Sequence, residues 1–242
     1  MLITDDRAEA GDFDEFADAA LAGGVDLVQL RDDKAKRRAL RSALETLRTI
    51  AFRYQGLVAV YDDLDLAHDF GADVLHLPDR GPAAKKAKRY LHRYAIIGRS
   101  CHSEADIDAA LADDDVAYLS VGPVFDGFTF FGHTPGLELV RYAARLAPPS
   151  DPKAKPWFAV GGITIGNVDE VLDAGARRVA VGRAITAAPD AGEAARVLKD
   201  RLREAWNDDP GMEQVVFGSL GEGTSFNTAA FEPRPGDDGP RV

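Results

Sequence analysis

Eight short apolar runs, each followed by an amphipathic stretch, recur along this chain, and few folds accept that alternation. The runs are Leu2–Thr4, Leu27–Arg31, Leu57–Tyr61, Val74–Leu77, Ile96–Ser100, Tyr118–Val121, Trp157–Val160 and Val179–Val181. Helical patterns follow at Phe13–Ala22, Ala35–Tyr54, Leu64–Phe70, Ala83–Tyr90, Glu104–Leu111, Leu137–Leu146, Val168–Ala174 and Gly192–Trp206. Glycines at Ala22-Gly23-Gly24, Phe70-Gly71-Ala72 and Ala174-Gly175-Ala176 mark helix ends that lead into strands. Strands alternating with helices pair in parallel, and eight such units close into an α/β fold, the (β/α)8 TIM barrel. An open doubly wound sheet is the competing architecture, but no Gly-x-Gly-x-x-Gly follows the first run.

Two glycine turns point to a ligand. Phe158-Ala159-Val160-Gly161-Gly162-Ile163 and Arg178-Val179-Ala180-Val181-Gly182-Arg183 each pass from an apolar run into glycine and then into a helical pattern. In a barrel these are the loops after strands seven and eight, where backbone N–H groups and helix N-termini receive phosphate. Tight turning alone would also call for glycine. The pair predicts a phosphate-bearing small molecule held at Gly161, Gly162, Val181 and Gly182.

Composition narrows the partners. A net charge of −11 over 242 residues argues against a general nucleic-acid binder. The basic clusters Lys34 to Arg38 and Lys85 to Arg89 fall on helical patterns and read as solvated faces. No apolar run is long enough for a membrane span, and the first residues lack a signal-peptide layout. One cysteine, Cys101, excludes an internal disulfide and suits a reducing, cytoplasmic setting. From Asn207 onward the chain turns acidic, glycine- and proline-rich and aperiodic. Residues 1–206 are therefore expected to form the barrel and 207–242 a disordered acidic tail, with Val215-Val216-Phe217 as a short patch able to dock. A homodimer stays open, with no helix face singled out for it.

Chemistry in a barrel collects at the C-terminal strand ends. There the chain carries Gln29 and Arg31, Tyr61-Asp62-Asp63, His76-Leu77-Pro78-Asp79-Arg80, Arg99-Ser100-Cys101-His102 and Gly122-Pro123-Val124-Phe125. Arg31, Asp62 and Ser100 are polar groups at the rim of a β-branched core, where binding or catalytic groups are expected. Each also has a plainer reading. Arg31 would pair with Asp62 or Asp5, Asp62 would cap the Leu64–Phe70 helix, Cys101 would be a small buried residue, and His76 would be structural. The five histidines show no zinc spacing.

These fragments together resemble the thiamine-phosphate synthase family, which includes the thiazole tautomerase. The resemblance runs from Ile3-Thr4-Asp5-Asp6-Arg7 to about Leu202. It includes Val28-Gln29-Leu30-Arg31, Gly71-Ala72-Asp73-Val74-Leu75-His76-Leu77, Ile97-Gly98-Arg99-Ser100-Cys101-His102, Gly122-Pro123-Val124-Phe125 and both glycine turns. It implies a transferase that joins hydroxymethylpyrimidine pyrophosphate to thiazole phosphate and releases pyrophosphate with magnesium (Mg2+). It further implies that Gln29 and Arg31 contact the pyrimidine substrate, that Asp62 binds the metal, and that Ser100 lies near the leaving group. The thiazole phosphate would rest on the backbone of Gly162 and the Val181-Gly182 turn.

The chain departs from the family where pyrophosphate is gripped. Asp33 stands at a lysine position with Lys34 one place late, and Tyr61 replaces an asparagine. Gly81 replaces a second metal-binding aspartate with Asp79 nearby, and the strand-six loop reads Gly127-Phe128-Thr129-Phe130 where Thr-x-Thr-Lys is usual. The expected set is therefore Arg31 and Ser100 as catalytic residues, with Gln29, Arg31, Lys34, Ser100 and Thr129 on the pyrimidine pyrophosphate. Asp62 and Asp79 would hold the metal. Lys34, Arg80 and Arg99 are candidates to restore lost positive charge, and Phe125, Phe128, Phe130 and Phe131 suggest an apolar lid. Two alternatives remain: a tautomerase-like isomerase using His102, Cys101 or His133, and a non-catalytic thiazole-phosphate-binding paralogue.

Overall fold

Runs of leucine, valine and isoleucine that are buried on both faces form the strands, as parallel sheets covered by helices require. The computed structural model describes residues 1–126 and 134–212. In chain order these contain β1 (Leu2–Thr4), α1 (Phe13–Ala22), β2 (Leu27–Leu30), α2 (Arg37–Arg53), β3 (Leu57–Tyr61) and α3 (Leu64–Phe70). They continue with β4 (Val74–Leu77), α4 (Ala84–Tyr90), β5 (Ile96–Cys101), α5 (Glu104–Ala112), β6 (Tyr118–Val121) and α6 (Gly136–Leu146). The last are β7 (Trp157–Val160), α7 (Val168–Asp173), β8 (Val179–Ala180), α8 (Arg183–Thr186) and α9 (Ala191–Asn207).

The strands form one parallel sheet in the order β1 to β8. It closes on itself: Val181 bridges Leu2, the Ile3 N–H donates to the Val181 carbonyl at 2.8 Å, and the Val181 N–H donates to the Met1 carbonyl at 3.0 Å. This is the expected TIM barrel. Along each strand alternate residues divide between two cores. Val28, Leu30, Val58, Val60, Leu75, Leu77, Ile97 and Leu119 pack outward under the helices, while Leu27, Ala59, Val74 and Tyr118 form a separate inner cluster with Met1, Ile96 and Phe158.

Local chemistry sets the helix ends. Asp63, Ser103 and Asp190 accept N–H bonds from Leu66, Asp106 and Glu193 at the starts of α3, α5 and α9. Several boundaries differ from expectation. β2 ends at Leu30, so Arg31 opens the following loop, and β8 is only Val179–Ala180. The short α8 leaves no mark in the sequence, because four residues carry no helical period. At the far end, Asp209 pairs with Arg177 at 2.8 Å and Met212 is 2% exposed, so the packed body continues past 206 to Met212. The remainder of the acidic segment expected to be disordered, 213–242, lies outside the described residues, and with it the Val215–Phe217 patch. No helix among the described residues is long and apolar enough to cross a membrane.

Candidate active site

Inward-facing polar side chains gather at the C-terminal end of the barrel. Gln29 is 1% exposed, deeper than the rim, and its Oε1 has no hydrogen-bond partner among the described residues. A buried carbonyl left unpaired costs roughly 1–3 kcal/mol, so the position is primed for a donor. On β4, His76 is 2% exposed, with Nδ1 2.9 Å from Tyr118 Oη and Nε2 3.0 Å from Ser100 Oγ. Tyr61 stacks on His76 with ring centroids 6.0 Å apart, and Tyr118 meets Phe158 edge-on. Burial, reinforced by the nearby positive charge of Arg99 and Arg31, lowers the His76 pKa to about 3, so the imidazole is neutral.

Arg31 lies above this column. Its guanidinium sits 4.2 Å over the Tyr61 ring and 3.8 Å from Asp33, so the expected pairing with Asp62 or Asp5 gives way to a cation–π contact with the residue that replaces asparagine. The two aspartates after β3 divide their tasks. Asp63, not Asp62, caps α3, accepting from Leu66 at 2.8 Å. Asp62 adopts φ +50° and makes no ion pair or hydrogen bond through its carboxylate among the described residues. Partial burial raises its pKa, opposed by Arg31 and reinforced by Asp33 and Asp63. Aspartate tolerates this left-handed conformation better than most residues do.

Asp79 lies in a turn closed by the Gly81 N–H donating to the Pro78 carbonyl at 3.0 Å, with its carboxylate 3.7 Å from Arg80 Nε. Arg99 does not serve as a spare cation: it donates to the Pro78 and Pro82 carbonyls at 2.8 and 2.7 Å and so fixes the loop bearing Asp79. The Arg80 side chain is 96% exposed. Lys34 is exposed in a loop shaped by Asp32 Oδ1, which accepts from the Lys34 and Ala35 N–H groups.

The glycine turns lie side by side, because Val160 pairs with Ala180 at the ends of β7 and β8. Gly161 and Gly162 have φ of +104° and +63°, and a Cβ at Gly162 would come within 2.7 Å of Phe125 Cβ. Only glycine accepts that conformation with the β6–α6 loop so close. Asn167 braces the turn, donating to the Gly162 carbonyl at 3.0 Å and accepting from the Thr164 N–H at 2.7 Å. The Gly162 and Gly182 N–H groups donate no hydrogen bond among the described residues. Val181 is buried at the barrel seam, and Gly182 begins α8, the short extra helix that commonly frames a phosphate at this end of a barrel.

The remaining candidates separate cleanly. Cys101 is fully buried with its thiol pushed up to about 12 by burial, a packing residue. His102 Nδ1 lies 2.6 Å from the Gly122 carbonyl. Thr129, Phe128, Phe130, Phe131 and His133 lie outside the described residues, while Phe125 packs against the core. A cavity of about 310 Å³ beside Tyr90 and His92 contains none of the expected set. Sequence reasoning missed Tyr118 and the tie between His76 and Ser100. Period-two alternation along β4, β5 and β6 was the available signal, since it turns all three inward.

The fold and its mouth set the chain among the (β/α)8-barrel enzymes. The sequence model of the thiamine monophosphate synthase family matches residues 1–185, and the chain belongs to that family. It is 46% identical over 205 residues to the thiamine-phosphate synthase of Streptomyces avermitilis, covering 84% of this chain and 93% of that protein. With the thiamine-phosphate synthase of Mycobacterium sp. (strain KMS) it shares 48% over 211 residues, 83% of this chain and 91% of the relative. Among solved structures, thiamine phosphate pyrophosphorylase from Pyrococcus furiosus superposes with a TM-score of 0.74 at 28% identity, covering 84% of this chain and 95% of that one. Orotidine 5'-phosphate decarboxylase from Pyrococcus horikoshii, at TM-score 0.59 and 16% identity, shares the fold.

Proposed function

We propose that this chain is a cytoplasmic thiamine-phosphate synthase, joining hydroxymethylpyrimidine pyrophosphate to thiazole phosphate. The observation that carries the reading at the level of the site is Gln29: a buried, unpaired carbonyl suits the amino group of a pyrimidine. The bond between the pyrimidine methylene and pyrophosphate breaks with its electron pair leaving on oxygen, and the thiazole nitrogen takes the methylene carbon. Arg31, held over the Tyr61 ring, offers a cationic fork to the departing pyrophosphate, and Ser100 a hydroxyl. The N–H groups of Gly162 and Gly182 receive the thiazole phosphate and orient its ring toward the cation.

Two hard carboxylates, Asp62 and Asp79, would hold a magnesium ion, and no group of three or more His, Cys, Asp or Glu forms an all-protein cage among the described residues. When bound, such an ion supplies charge neutralisation to the leaving pyrophosphate. A side chain at Gly81 would come within 2.8 Å of Pro78 Cδ, which leaves Asp79 as the second carboxylate. Lys34 and Thr129 complete the expected pyrophosphate contacts. The tautomerase reading is not favoured: Cys101 is buried with a raised pKa, and the relatives described above carry the synthase name. Mixing both substrates with purified protein is expected to release pyrophosphate only when magnesium is present. Isomerisation of a thiazole phosphate with no pyrophosphate released would contradict the proposal.

A further inference from the structure

A line of three side chains on the neighbouring strands β4, β5 and β6 runs inside the barrel and ends at Ser100. Tyr118 is 4% exposed, and its ring lies so close to Gly98 that a Cβ there would come within 2.2 Å of Cζ. That contact fixes the phenol against His76, which in turn reaches Ser100. A neutral imidazole carries one proton, so only two arrangements exist. With the proton on Nδ1, the histidine donates to Tyr118 Oη, and the phenolic proton is left without an acceptor, since Tyr118 has no other hydrogen bond among the described residues. With the proton on Nε2, Tyr118 donates to Nδ1, Nε2–H donates to Ser100 Oγ, and the serine proton is free to point out of the line. The second arrangement orphans no buried donor and is the one physical accounting selects.

We propose that Tyr118 and His76 are positioning residues that hold the Ser100 hydroxyl as an outward hydrogen-bond donor to the departing pyrophosphate. The inference rests on the synthase reading, and it gives Tyr118, a buried residue of the inner cluster, a part in turnover. The test is a double-variant cycle in the full chain, with Ser100→Ala, Tyr118→Phe and both together, alongside nitrogen NMR of the His76 ring. Tyr118→Phe keeps the ring against Gly98 and is expected to lower kcat about tenfold with KM for both substrates changed less than about twofold. Added to Ser100→Ala, it should lower kcat no further, because the hydroxyl it positions is gone. The wild-type ring should show the Nε2–H tautomer, a readout independent of catalysis and of whether the variants fold. Full kcat in Tyr118→Phe, effects that multiply in the double variant, or a wild-type Nδ1–H tautomer would each overturn the proposal. A wild-type chain that forms no thiamine phosphate yet shows Nε2–H overturns the synthase reading and the role given to Ser100, but leaves the hydrogen-bond line standing.

Discussion

Asp62 and Asp63 are chemically identical neighbours with different work, and the backbone decides which does what. Asp63 is spent on the α3 N-terminus, while Asp62, turned into the left-handed region, keeps its carboxylate uncommitted. Asp63→Ala is therefore expected to lower unfolding free energy by about 1 kcal/mol with turnover retained. Asp62→Asn, which tolerates the same φ, should leave the urea midpoint unchanged and reduce kcat/KM about 100-fold. Reversed outcomes would exchange the two roles. The sequence alone left Asp62 as either cap or ligand, since both positions precede the same helix and only φ distinguishes them. His76 yields a pH prediction. Its pKa is about 3 in the fold against an ordinary 6.5, so the unfolded chain takes the proton first. Stability is full above about pH 6.5 and is lost as pH falls toward 3, at about 1.4 kcal/mol per unit from this residue. Denaturant titrations at pH 7 and 5 should show a smaller acid loss in His76→Gln than in the unaltered chain.

At the scale of elements, the turns after β7 and β8 carry the ligand argument. Glycine after a β-branched run was legible because strand and turn chemistry coincide in a few residues. The short α8 was not, and neither was the end of β2 at Leu30, because strand termini follow the barrel's stagger more than local propensity. Gly162→Ala would place a methyl group against Phe125 at a φ of +63°. It is expected to destabilise by about 1–2 kcal/mol and to raise KM for thiazole phosphate about tenfold, with a smaller change in kcat. A KM effect confined to the pyrimidine substrate would relocate the phosphate site.

Over the whole molecule, eight repeats of one pattern made the barrel legible. The hydrogen-bonded line inside it was not, because Tyr118, His76 and Ser100 come from three segments that meet only once β4, β5 and β6 pair. The end of the body was also hidden, since Asp209 and Met212 read as polar tail composition until Arg177 supplies the partner. A chain ending at Met212 is expected to match the full chain in melting temperature and turnover, whereas one ending at Trp206 should be less stable by roughly 1–2 kcal/mol through loss of the Arg177 pair and the buried Met212.

On the synthase reading, this mouth remains a working site despite its altered pyrophosphate contacts. Phosphorus NMR of the full chain with both substrates and magnesium tests that directly. One pyrophosphate should appear for each thiamine phosphate formed, over many turnovers per protein. Both substrates remaining intact, with thiazole phosphate merely bound, would contradict it.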